Sequence, residues 1–223
     1  FGQKLPRKKV LSITFLDTTV NAPNNCWDVS EKGDGSVLAW AIRNENQPTF
    51  FDLYIAGDGG VNAPENCTCL FADYSSATSI YFGNCFHTSR VTKMYRLFEH
   101  CSKLTTLNLG IWFDTSRVTD MNSMFCGCSN LTTLNLGSSF DTSKVTDMER
   151  MFDGCSNLAA LDFGNRFNTA KVKNMNWMFD KCPKLHRLNV KNWDLSSVTE
   201  YINFMIEGQL LNGRPWEELF QNR

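Results

Sequence analysis

The sequence predicts an α/β solenoid of about six 27-residue coils that is capped at both ends. The first observation is an internal repeat with a period of 27 residues. The repeat is visible in three columns: Val91, Val118, Val145 and Val172; Phe98, Phe125, Phe152 and Phe179; Cys101, Cys128, Cys155 and Cys182. The second observation is that the apolar spacing within one repeat changes from helical to alternating. Such a period is typical of proteins in which each unit stacks on its neighbours. We therefore expect short parallel strands on one face and short helical or 3₁₀ turns on the other.

The first half of each repeat is predicted to be helical. In one copy the apolar residues are Val145, Met148, Met151 and Phe152. This spacing places them on one side of a short α-helix or 3₁₀ turn. Gly154 follows at a point where a residue in the left-handed conformation would end the helix.

The second half of each repeat is predicted to be a strand. Leu158 and Leu161 begin a Leu-x-x-Leu-x-Phe pattern, and the other copies begin at Leu104, Leu131 and Leu185. This is the signature of a leucine-rich-repeat strand, and a 27-residue period lies within the usual range of about 20–29 residues. We expect successive strands to pair in parallel. An aromatic residue follows each strand and is expected to form a stacked spine at the corner of the coil: Phe86, Phe113, Phe140, Phe167 and Trp193.

The two ends depart from the repeat and are predicted to be caps. Residues 1–50 form the expected N-terminal cap, with a strand over 11–15 and a short apolar helix over 36–42. Residues 51–206 form the solenoid, in which residues 53–55 stand one period before Ile80. Residues 207–223 are expected to be a capping helix that has Pro215 at its first position.

Composition argues against several classes of function. The chain has 22 basic and 23 acidic residues and a net charge of −1, which does not favour nucleic acid as a partner. No apolar stretch reaches the roughly 20 residues of a membrane-spanning helix. With only three histidines and no catalytic motif, we expect neither enzymatic activity nor a cofactor. We leave the oligomeric state open and favour a monomer.

The cysteines indicate core packing more than chemistry. Nine are present, and four of them form the buried column of the repeat. The Cys-x-Cys pairs at 67/69 and 126/128 differ from the Cys-x₂-Cys spacing usual for zinc, so no metal is expected. A disulfide within the remaining group stays open. That group is Cys26, Cys67, Cys69, Cys85 and Cys126.

The repeat resembles that of BspA-like leucine-rich-repeat bacterial surface proteins. The motif is Phe-Asp-Thr-Ser-[Lys/Arg]-Val-Thr-Asp-Met-x-x-Met-Phe-x-Gly-Cys-Ser-Asn-Leu-Thr-Thr-Leu-Asn-Leu. Residues 113–136 and 140–163 match it closely, whereas residues 86–109 and 167–190 match with substitutions. The resemblance implies a secreted or wall-displayed protein that binds host or microbial surface molecules, with the signal peptide and anchor outside this segment. No catalytic residue is carried over from the family.

The candidate ligand-binding residues lie between the buried leucines of each strand and should face solvent. They are Ser79, Tyr81, Thr106, Asn108, Thr133, Asn135, Asp162, Arg187 and Asn189. We expect this face to bind a host or microbial protein or glycan. The alternatives are that these residues are merely solvated, and that the segment is a structural spacer of a larger surface protein.

Two tryptophans and a column of aspartates also depart from simple core packing. Trp112 and Trp177 replace polar residues of other copies, so each is either an exposed anchor for a ligand or packed locally. Asp114, Asp141 and Asp194 supply one carboxylate per coil. Since calcium prefers 6–8 oxygen ligands, we assign these aspartates to turn hydrogen bonds instead.

Overall fold

The computed structural model describes residues 5–190 and 193–221, and most of its regular structure consists of short strands. A 3₁₀ helix at Arg7–Lys9 precedes the first strand, and another at Trp216–Phe220 follows the last. The strands are β1 Val10–Leu16, β2 Trp27–Asp28, β3 Leu38–Arg43, β4 Phe51–Ala56, β5 Val61–Asn62, β6 Ser79–Tyr81, β7 Phe86–His87, β8 Thr106–Asn108, β9 Thr133–Asn135, β10 Ala160–Leu161, β11 Arg187–Leu188, β12 Leu210–Leu211 and β13 Arg214–Pro215.

The main sheet is mixed and has the strand order β2-β3-β4-β1-β6-β8-β9. Strands β2, β3 and β4 pair antiparallel. Beyond β4, the strands β1, β6, β8 and β9 follow in that order, and each pairs in parallel with the one before it. Three further pairs lie outside this sheet: β10 with β11 and β5 with β7 in parallel, and β12 with β13 antiparallel. The predicted parallel pairing of repeat strands is confirmed where Leu107 lies beside Leu134 and Leu161 beside Leu188.

Strand β1 lies between two strands that the sequence places one period apart. Ile13 pairs with Leu53 of β4 on one side and with Ile80 of β6 on the other. The predicted strand over 11–15 is therefore confirmed, but the next repeat strand beside β6 is not β4. Val10, Ile13 and Phe15 are buried in the common core, and this burial stabilises the insertion. The domain boundaries at residues 50 and 206 stay a prediction.

The helix predicted over 36–42 is wrong, because most of this segment belongs to strand β3. Its residues pair antiparallel with β4, with Ala39 opposite Ile55 and Trp40 opposite Tyr54. The rings of Trp40 and Tyr54 stack at 5.5 Å. A short apolar run has no periodicity that separates a strand from a helix. Pairing with the edge of β4 decides between the two, because it satisfies the backbone groups of the segment.

Of the two alternatives predicted from Val145 to Phe152, the short helix is wrong, and the 3₁₀ turn is met only by isolated bonds three residues apart, because the segment forms a series of tight turns. Its amides alternate in direction: Met151 N donates to Met148 O at 3.2 Å, whereas Arg150 N donates to Asn176 O of the next repeat at 2.9 Å. Arg150 has a φ of 53°. A residue in that left-handed conformation does not continue an α-helix.

The same turns recur in neighbouring repeats and explain why the spacing looked helical. Apolar residues three apart face the core in a series of turns as well as in a 3₁₀ helix. Parallel bridges outside the named strands connect the turns of successive repeats. They link six residues in chain order: Asn66, Lys93, Asp120, Asp147, Asn174 and Glu200.

The stacked aromatic column is not the one that the sequence indicated. The rings of Phe98, Phe125, Phe152 and Phe179 stack at 5.3–5.4 Å with interplanar angles of 3–10°. The four phenylalanines of the corner column are buried and Trp193 is half-buried. Their rings are tilted, as at Phe86 and Phe113, which are 6.4 Å apart. Aromatic contacts of this kind add to the free energy gained from apolar burial.

Buried polar groups join one repeat to the next. The hydroxyls of Thr88, Thr115 and Thr142 each donate to a backbone carbonyl of the following repeat at 2.8 Å. The cysteine column acts in the opposite direction, since Cys128 Sγ donates to Phe98 O at 3.2 Å. These hydrogen bonds satisfy polar atoms that burial would otherwise leave unpaired.

The C-terminal segment covers the last repeat with a hairpin that precedes a short 3₁₀ helix, so the predicted capping helix occupies only Trp216–Phe220 of residues 207–223. Pro215 precedes the helix and does not occupy its first position. The Asn212 side chain pairs with both backbone groups of Leu188, at 2.7 and 3.2 Å. The Trp216 and Phe220 rings lie 5.6 and 5.1 Å from that of Phe204, so these two residues cover the core as expected.

Candidate functional site

The solvent-facing side of the main sheet carries two rows of polar side chains. One row contains Ser12, Ser79, Thr106 and Thr133, and the other contains Thr14, Tyr81, Asn108 and Asn135. Alternate residues of a strand face the same side, so the rows follow from the register of the strands. We call this surface the strand face and include in it Asp162, Arg187 and Asn189 beside β10 and β11.

All nine predicted binding residues are exposed: Ser79, Tyr81, Thr106, Asn108, Thr133, Asn135, Asp162, Arg187 and Asn189. Sequence reasoning missed Ser12 and Thr14 of β1, which extend the rows towards β4. The pattern of β1 indicated a strand but contained no signal for its position between β4 and β6.

The first hollow of the strand face lies where β6, β8 and β9 end and has a volume of about 560 Å³. Tyr81 is 64% exposed on one side of it, and Ile111 is 56% exposed on another. Asn108 and Asn135 also line it. It therefore combines an exposed aromatic ring, an aliphatic side chain and two amides.

The floor of this hollow is made of backbone. Gly83, Gly110 and Gly137 line it, at intervals of 27 residues, and each has a positive φ. A Cβ atom on Gly137 would overlap the carbonyl oxygen of Gly110, and one on Gly110 would lie 3.0 Å from the carbonyl oxygen of Gly83. The 27-residue spacing of these glycines was a signal that could have identified the floor from the sequence.

The asparagines of the first hollow have one end in a turn and the other end available. Asn108 Oδ1 accepts from Gly110 N at 3.1 Å, and Asn135 Oδ1 accepts from Gly137 N at 3.0 Å. The Nδ2 atoms of both side chains make no hydrogen bond within residues 5–190 and 193–221. These two amides are therefore positioned by the turns and can donate to a ligand.

The second hollow lies beside β10 and β11 and has a volume of about 790 Å³. Asp162 and Arg187 line it with opposite charges, and Arg187 lies opposite the small residue Ala160. Leu210, which is 52% exposed, forms an apolar side. Six of the nine predicted residues are thus divided between the two hollows, whereas Ser79, Thr106 and Thr133 line neither of them.

The two tryptophans have different environments. Trp112 is 51% exposed, and its ring lies 5.2 Å from that of His87. Trp177 is half-buried, with the Arg150 guanidinium 4.7 Å from its ring. Its φ of 53° is shared by the equivalent residue of other repeats, so it reflects the turn and not a special site. Trp112 is the tryptophan that can act as an anchor.

A charged cluster around Asp153, in the turns, was not anticipated from the sequence. Asp153 is 4% exposed and lies 3.3 Å from Arg150 and 3.6 Å from Lys181. Burial raises the pKa of Asp153, and the positive charges of Lys181 and Arg150 oppose that shift. Burial, followed by the charge of Asp153, raises the pKa of the neighbouring Cys126 thiol to about 11. The Lys181 ion pair connects Asp153 to the next repeat, whereas Arg150 belongs to the same repeat as Asp153.

The cysteines and acidic residues form neither a disulfide nor a metal-binding group in the part of the chain that the structure describes. All nine cysteines are free thiols, so none of the five off-column residues is paired. Over residues 5–190 and 193–221, no three His, Cys, Asp or Glu side chains form a group that could hold a metal ion. Within those residues, no helix has the length and apolarity needed to cross a membrane.

Comparison with known proteins identifies the family of the repeat. The profile described as "Mycoplasma protein of unknown function, DUF285" matches residues 66–160 and 92–214. The second match alone covers more than half of the chain. No curated protein and no solved structure matched. The description of the family names no activity. The chain belongs to the DUF285 family of repeat proteins.

Proposed function

We propose that the chain is a capped leucine-rich-repeat solenoid of the BspA-like kind that serves as a non-catalytic recognition module. It is secreted or displayed at a cell surface and binds a host or microbial protein or glycan through the strand face. The proposal rests on the parallel strand pairing, on the repeat motif and on the exposure of the polar rows.

The first hollow is the observation that carries the proposal. An exposed tyrosine provides a flat apolar surface with a polar end, and such residues are enriched where proteins bind partners. Beside Tyr81, the free Nδ2 atoms of Asn108 and Asn135 are held in place by turns. Prepositioned donors bind with less loss of conformational entropy than mobile ones. A sugar or an extended peptide offers the hydroxyl or carbonyl acceptors that these amides require.

The proposal is tested by binding the purified segment to a panel of mucins, matrix proteins and glycans. The strand-face variant carries Tyr81→Ala, Asn135→Ala, Asp162→Ala and Arg187→Ala. We expect it to lose binding and to melt at the same temperature as the parent, because all four residues are exposed.

The matched control variant changes four exposed residues elsewhere: Thr146→Ala, Lys173→Ala, Ile202→Ala and Glu207→Ala. Like the strand-face variant, it removes one acid, one base, one large apolar side chain and one polar side chain. We expect it to bind as the parent does. Equal binding by all three proteins would contradict the proposal. If the parent binds nothing in the panel, the alternative gains support, in which the segment is a structural spacer of a larger surface protein.

A further inference from the structure

A cavity distinct from the two hollows lies on the core side of the main sheet, near the N-terminal end of the chain. It has a volume of about 200 Å³ and is more enclosed than the two hollows of the strand face. Its walls are mainly apolar and come from β1, β4, β5, β7 and the loop before β3. The side chains that matter most are Phe15, Val29, Val37, Ile55, Val61 and Phe86.

The cavity arises because a valine occupies a position that holds phenylalanine in later repeats. Val61 of β5 pairs in parallel with Phe86 of β7. The residues that follow Phe86 in its column are Phe113, Phe140 and Phe167, all of them buried. Valine is smaller than phenylalanine by roughly the volume of a ring. The Phe15 ring of β1, 4.6 Å from that of Phe86, fills only part of that space, and the cavity is what remains.

The size and lining of the cavity favour an apolar ring as the guest. An engineered apolar cavity of about 150 Å³ in another protein stays dry and binds benzene. The present cavity is larger, at about 200 Å³, and its apolar lining includes Phe15, Ile55 and Phe86. A ring here would lie where the phenylalanine column would otherwise continue.

The opening of the cavity is acidic. Glu31 lines the cavity and is exposed, so its carboxylate lies at the opening. It belongs to a loop that also carries Asp28, Asp34 and one base, Lys32. The loop is held in shape because Asp28 accepts hydrogen bonds from the amides of Ser30 and Gly35, at 2.8 and 2.9 Å. A carboxylate that is held beside an apolar cavity favours a ligand with a positive charge next to its ring.

We infer that this cavity binds a small molecule in which a phenyl-sized apolar ring is linked to an ammonium group. The ring packs against Phe86 in the space left by Val61, and the ammonium group lies beside Glu31. The site is separate from the proposed recognition function, because Phe15 and Ile55 point away from the strand face. The two proposals can therefore fail independently.

The test uses phenethylamine and its uncharged analogue ethylbenzene as probes of the whole segment, followed by ligand-observed NMR. We expect both probes to bind and the amine to bind up to about fivefold more tightly, the difference that one partly exposed ion pair supplies. Glu31→Gln should remove that preference and leave the binding of ethylbenzene unchanged. An amine preference that is retained in Glu31→Gln would overturn the assigned role of the carboxylate.

Val61→Phe is the decisive variant, because it restores the residue that later repeats have at this position. It should weaken both probes by more than about tenfold, since the ring of the new side chain occupies the cavity. Val37→Phe narrows the cavity from the opposite loop and serves if Val61→Phe does not fold, as judged by circular dichroism. Unchanged probe binding in a folded variant, or no binding by the parent, would overturn the inference.

Discussion

The central repeats and the N-terminal end are both built from short strands, but they fill their cores differently. From Phe98 to Phe179 every repeat supplies one stacked phenylalanine, one buried cysteine and one buried threonine. At the N-terminal end, β1 enters the sheet from outside the repeat, and Val61 stands beside Phe86. The comparison shows that a column fills the core only where each repeat contributes to it. Where the column ends, a cavity is left.

The largest expected effect comes from removing one ring of the stacked column. Phe152→Ala should lower the free energy of unfolding by about 3–5 kcal/mol, because Phe152 is fully buried between Phe125 and Phe179. Val61→Ala at the N-terminal end should cost less than half as much, since Val61 already borders a cavity. Urea denaturation measures both values. Equal losses would remove the distinction between the two regions.

The next effect concerns the buried hydroxyls between repeats. Thr142 donates to Asn168 O at 2.8 Å and accepts from Asn168 N at 2.7 Å. Thr142→Val keeps the shape but leaves both backbone groups without this partner, at a cost of about 1–3 kcal/mol. The control is Thr146→Val in the same repeat. Its hydroxyl also bonds across repeats, to Thr119 O at 3.3 Å, but it is exposed, so water can replace it and the change should be nearly neutral. A neutral Thr142→Val would show that the hydroxyls do not hold the repeats together.

Alkaline pH should destabilise the molecule through its buried thiols. Burial raises the pKa of Cys67, Cys101 and Cys182 to about 12, from an ordinary value of 9.0. The unfolded chain therefore binds fewer protons than the folded chain above pH 9, and stability falls as pH rises towards 12. Below pH 9 these thiols are protonated in both the folded and the unfolded chain, so they do not make the stability depend on pH.

The measurement is the urea midpoint between about pH 7 and about pH 10.5 under reducing conditions. Cys101→Ala should show a shallower decline than the parent, because one of the buried thiols is removed. A midpoint that does not change across this range would mean that the column is open to solvent.

The smallest effect comes from the left-handed residues of the turns. Ser123 has a φ of 57°, a conformation that costs a residue with a Cβ atom more than it costs glycine. Ser123→Gly also removes a buried hydroxyl that donates to Asn122 Oδ1 at 2.7 Å, which offsets part of this relief. The free energy of unfolding should therefore rise by only about 0.5 kcal/mol. Ser129→Gly, at a position without a positive φ, should lower it by a similar amount. The two changes would have the same sign if the turns were helical, as the sequence suggested.

The repeat columns could be predicted because each identical position meets an identical environment. The valine, methionine, phenylalanine and cysteine columns are all buried, and the polar residues between the leucines are exposed. The turns were mistaken for helices because apolar spacing does not show that alternate amides bond to the next repeat. Left-handed residues such as Arg150 and Trp177 carry no sequence signal at this position.

The N-terminal end could not be predicted in the same way. Strand β1 was recognised, but the choice of its neighbours depends on burial of Ile13 and Phe15 against both β4 and β6. Such long-range contacts leave no periodic trace in a single sequence. The glycine floor of the first hollow was different, because Gly83, Gly110 and Gly137 repeat every 27 residues. Its position was predictable, but the exposed Ile111 beside it was not.

Hydroxyl-radical footprinting of the segment on the mucin, matrix protein or glycan that it binds best tests the central claim most directly. Oxidation reports the exposure of each side chain with and without the bound partner. The account predicts that binding protects Tyr81 and Ile111, which border the first hollow, and leaves the exposed Ile202 unprotected. Protection of Ile202 with unchanged oxidation of Tyr81 would contradict recognition through the strand face.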